Sequence, residues 1–65
     1  MILLNLIALI DGNETIHVIS EDKTIFFGNV LKALCELQGS DYADYIVNYI
    51  YSGFGGICIE IRPNE

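Results

Sequence analysis

The sequence predicts a small α+β domain in α-β-β-α-β-β order, with an antiparallel sheet and both helices on one face. Three observations carry this. Thr15–Ser20 and residues 24–27 are β-rich runs split by the polar turn Glu21-Asp22-Lys23. Residues 45–51 and 57–62 form a second such pair, split by Ser52-Gly53-Phe54-Gly55-Gly56. Two further segments, one before and one between these pairs, carry apolar residues at helical spacing. One sheet covered on one side gives every apolar stripe a partner.

Residues 1–10 are apolar except for Asn5. Leu3, Leu6, Ile7 and Ile10 fit the i, i+3, i+4, i+7 pattern, and Asp11-Gly12 follows where a helix would end. A buried strand entering a turn at Asp11-Gly12-Asn13-Glu14 also fits; the leucine and alanine content and the length of the run favour helix. Thr15–Ser20 and residues 24–27 form a hairpin, which Gly28 ends. Asn29 suits the cap of a second helix over residues 30–38, with Gly39 just past its end. Residues 42–51 read two ways. Tyr42, Tyr45, Ile46, Tyr49 and Ile50 make a helical stripe, yet residues 45–51 are nearly all β-formers. The closing strand needs a neighbour, which favours strand, and Pro63 stops that last strand.

The chain has 65 residues, enough for one domain spanning 1–65. A domain this small buries only about 60% of its unfolded surface, so it is marginal without help. Cys35 and Cys58 lie in apolar segments without the spacing of a disulfide framework and are expected to be buried and reduced. With one histidine and no Cys-x-x-Cys, no metal or other cofactor is expected. The apolar start lacks a basic flank and a cleavage site, and ten helical residues reach only about 15 Å. A cytoplasmic protein with no membrane association is expected. Oligomerisation is left as the aid to stability, and a homodimer is expected through Leu3, Leu4, Leu6, Ile7 and Ile10.

Nine acidic residues face three basic ones, Lys23, Lys32 and Arg62, for a net charge of −6. Direct nucleic-acid binding needs a basic footprint that these three cannot supply. A partner with a basic surface suits the charge better, although acidity also serves solubility alone.

No catalytic constellation stands out. His17 lacks an orienting acid or nucleophile in the sequence, and the serines sit where caps and turns explain them. Asp11-x-Asn13 begins like a calcium loop, but Ile16 and Asp22 stand where that loop needs Gly and Glu. The glycine-rich segment lacks the Lys-Ser/Thr of a phosphate loop. The expectation is a protein that is not an enzyme. Its partner-binding residues would be Asp41, Tyr42, Asp44, Tyr45, Tyr49, Tyr51 and Phe54, because tyrosine and loop-tip aromatics make good interface anchors.

A leucine-rich start ending in Ile10-Asp11, the hairpin over residues 15–27, Gly28-Asn29-Val30 opening a helix, and two closing strands make up the pattern of the chain. In this it resembles short proteins encoded by phages and mobile elements of Gram-positive bacteria. The resemblance implies an inhibitor that occupies a host protein, such as one of a defence system, and it carries over no site residue. One departure is the first helix, where Leu, Ile and Ala replace the charged outer side of the usual relatives. The alternatives in function are an oligomeric binder that sequesters a small ligand and an accessory subunit of a larger assembly.

Overall fold

The computed structural model describes residues 1–53 and 55–64. It contains α1 (Leu3–Ile7), β1 (Thr15–Ser20), β2 (Lys23–Asn29), α2 (Val30–Leu37), a 3₁₀ turn at Asp41–Asp44, β3 (Ile46–Gly53) and β4 (Gly56–Arg62). The predicted α-β-β-α-β-β order holds. The sheet is mixed, however, where an antiparallel one was expected: its order is β2-β1-β4-β3, with β1 and β4 parallel at the centre. The reason lies in the side chains. Ile16, Val18, Cys58 and Ile59 are fully buried, and placing β1 and β4 inside shelters all four. A simple antiparallel meander in chain order would have left both strands on the edges.

α1 is shorter than the predicted helix. It spans five residues with no side-chain cap, and turns carry the chain on to Ile10. A helix of that length is unstable alone. Leu3 and Ile7 hold it in place, both fully enclosed, each burial contributing roughly 2 kcal/mol. Just before it, Ile2 makes one isolated antiparallel bridge to Ile46; the strand over residues 2–10 that the sequence also allowed does not form.

Asn29 caps α2 as expected, its side-chain oxygen accepting from Lys32 N–H at 2.8 Å. Gly39 is not among the glycines with positive φ. Instead Ser40 closes the helix, donating to the Leu37 carbonyl at 2.8 Å and accepting from Tyr42 N–H at 3.2 Å. Val30, Ala33 and Leu37 face the sheet, which turns Cys35 outward. Cys35 is therefore exposed where burial was expected; Cys58 is buried, and both are free thiols.

The core lies between the helices and one face of the sheet. Leu3, Ile7, Val30, Ala33 and Leu37 meet Ile16, Val18, Phe26, Ile59 and Ile61 there. No described helix is long and apolar enough to cross a membrane.

Candidate partner-binding surfaces

Alternation along each strand sends every second side chain to the face that no helix covers. Since Ile16, Val18, Ile59 and Ile61 point into the core, His17, Ile19, Cys58 and Glu60 point the other way. The register lines these up in rows. Phe27, His17, Cys58 and Tyr51 form one row across β2, β1, β4 and β3. Thr24, Ile19, Glu60 and Tyr49 form the next.

Contacts within the rows hold several of these groups in place. The His17 ring meets Phe27 edge-on, with centroids 5.4 Å apart and planes at 80°. Its Nε2 shares a 2.7 Å hydrogen bond with the Thr24 hydroxyl. Between His17 and Tyr51, Cys58 has no exposure at all, and its thiol donates to the Gly53 carbonyl at 3.7 Å. Hydrogen bonding to the neighbouring Glu60 carboxylate, together with its charge, raises the Tyr51 phenol above the ordinary 10.0. The rims of the rows stay open: Phe27 is 59% exposed, Tyr49 65% and Tyr51 41%.

The tyrosine-rich segment does not form a single patch. Tyr42 and Tyr45 stack edge to face at 4.9 Å, half-buried and packed on the core. Asp41 and Asp44 are exposed on the 3₁₀ turn. Tyr49 and Tyr51 lie on the uncovered sheet face with Glu60. Phe54 falls outside the described residues. Of the residues expected at an oligomer seam, Leu3 and Ile7 are enclosed by the chain's own core and have no surface to offer. Leu4, Leu6 and Ile10 pack partly on that core, while Leu9, at 76% exposed, is the apolar side chain of this segment most open to solvent.

Phe27, His17, Ile19 and Glu60 were not singled out as binding residues from the sequence. A usable signal was present for one of them: Phe26-Phe27 in a strand sends one ring to each face.

The sheet has a second surface, the outer edge of β3. Met1 and Ile2 cover its start, where Val47 N–H donates to the Met1 carbonyl and Leu3 N–H to the Tyr45 carbonyl, both at 2.8 Å. From Asn48 onward no described strand pairs with that edge. Among the described residues no pocket forms and no three His, Cys, Asp or Glu side chains converge on a metal position.

No family model, characterised protein or solved structure matches this chain.

Proposed function

We propose that this chain is a non-enzymatic protein-binding module that acts by occupying a partner's surface with its uncovered sheet face. The observation that supports this reading is the set of open rings on that face, Phe27 on β2 and Tyr49 and Tyr51 on β3, carried on the two outer strands of one sheet. Rigid aromatic side chains give large contact area for little lost entropy. Glu60 between the tyrosines and the net charge of −6 favour a basic partner, whose arginines can stack on the rings and meet the carboxylate. Inhibition of a host protein, such as one of a defence system, by a phage-encoded chain is the setting that the sequence resemblance suggests.

The test is capture of a partner from the host, followed by titration against variants. Phe27→Ala, Tyr49→Ala and Tyr51→Ala should each weaken binding by about tenfold. Leu9→Ala, a substitution on the helical side, should leave it unchanged. A partner whose affinity survives all three aromatic truncations, or does not fall with added salt, would overturn this reading.

A further inference from the structure

We propose that the outer edge of β3 is a seam for a second copy of this chain, joining two four-stranded sheets into one of eight strands. The edge is already shown to accept an antiparallel strand, because Met1 and Ile2 occupy it opposite Val47 and Ile46. Beyond Val47 it continues as Asn48-Tyr49-Ile50-Tyr51-Ser52, with neither a charge nor a proline. Charged or proline residues are the usual means of keeping an edge strand from pairing.

The sequence of this edge is nearly symmetric about Ile50. Antiparallel pairing with a second copy across a two-fold axis at Ile50 sets Ile50 against Ile50, Tyr49 against Tyr51 and Asn48 against Ser52. Each tyrosine then meets a tyrosine and each amide meets a hydroxyl, and a self-complementary patch is what a two-fold interface requires.

The backbone agrees. Gly53 and Gly56 pair at the end of the β3–β4 hairpin, and pairs that flank a two-residue loop exchange hydrogen bonds. Bonding alternates along an antiparallel ladder, so Tyr51 and Tyr49 also bond inward to β4, while Ile50 and Ser52 turn their N–H and C=O groups outward. Ile50 on the axis can therefore exchange two hydrogen bonds with its counterpart. Met1 holds the outer side of Val47 and so bounds the seam at both ends. The two uncovered faces then become one continuous aromatic surface.

A seam of five residues is at the small end of interface sizes, so half-dimerisation on the order of 100 µM is expected. Sedimentation equilibrium of the intact chain should show its mass rising from 7.3 kDa toward twice that value with concentration. Ile50→Lys and Ile50→Glu should each stay monomeric, since like charges would meet on the axis. An equimolar mixture of the two should dimerise again. A mass that stays single up to about 1 mM, ten times that midpoint, would overturn the proposal. So would charged variants that dimerise as the wild type does. Should both variants fail to fold, amide exchange on the wild type decides. The Ile50 and Ser52 amides should slow with concentration, and exchange independent of concentration would equally overturn the seam.

Discussion

The two outer strands of the sheet, β2 and β3, meet the same hazard in different ways. β2 opens with the exposed Lys23, shifts register against β1 between Val18 and Ile19, and runs directly into α2. At its far end the backbone is tied down, with Val30 N–H donating to the Glu14 carbonyl at 3.0 Å and Leu31 N–H to that of Gly12 at 3.3 Å. Charge, irregularity and a helix thus blunt that edge. β3 has a shift between Val47 and Tyr49 and the short Met1–Ile2 cover, then five uncharged residues. Within one sheet, the two edges are guarded to different degrees, β2 by a charge and a helix and β3 by the short Met1–Ile2 cover alone. That difference, more than overall hydrophobicity, marks where this molecule can add another strand.

The largest expected effect lies in β4, the strand on which β3 pairs. A Cβ on Gly56 would overlap the Thr15 carbonyl where β4 docks beside β1, and the neighbouring atom is backbone that cannot rotate away. Gly56→Ala should cost about 3 kcal/mol and be read as a steep fall in thermal midpoint. On the β2 side, the turn is the place to gain stability. Glu21 and Asp22 both sit at positive φ, 51° and 66°, a geometry that suits the twist of a hairpin but strains residues such as Glu21 that are not Gly, Asn or Asp. Replacing them together with Asn-Gly should stabilise by roughly 1–2 kcal/mol, each kcal/mol raising the midpoint about 4–8 °C. A stability that falls instead would show that these side chains do more than turn the chain.

Asn29→Ala removes the cap that lets β2 pass straight into α2. It should cost about 1 kcal/mol, visible as lost helical signal and an earlier midpoint. The smallest effect concerns the β3 face. Glu60→Gln should lower the Tyr51 titration toward the ordinary 10.0, followed by phenolate absorbance. Because the folded-state value is raised, the Tyr51–Glu60 contact contributes below the unfolded pKa and is lost as pH climbs through the folded one. Glu60→Gln should therefore flatten the alkaline limb of the stability profile; an unchanged limb would mean that other tyrosines set it.

Much of the element order was legible because period-2 runs and turn residues are local signals. Glu21-Asp22-Lys23, Asn29 and the glycines at 53, 55 and 56 announce their turns and cap before any tertiary contact exists. The pairing of β1 with β4 was not legible. Ile16 and Ile57 become partners across most of the chain, and nothing near either residue records that choice. The same limit applied to the candidate surfaces. Tyr42, Tyr45, Tyr49 and Tyr51 look alike in a string, but a 3₁₀ turn sends two to the core and a strand sends two to the open face. At residues 3–10 the apolar run suggested an oligomer seam, yet the greater part of it packs on the chain's own core. The demand for cover was real, and much of it is met within the chain.

Cys35 and Cys58 differ sharply in access. A thiol reagent added in excess will label Cys35 on the helix surface at once, and reach Cys58 only when the structure around it opens. One labelling trace therefore contains its own reference and its own clock. The fast phase reports reagent and thiol chemistry, and the slow phase reports how often the surroundings of Cys58 open. The molecule can thus be timed at its own two thiols, with no residue introduced and no denaturant added.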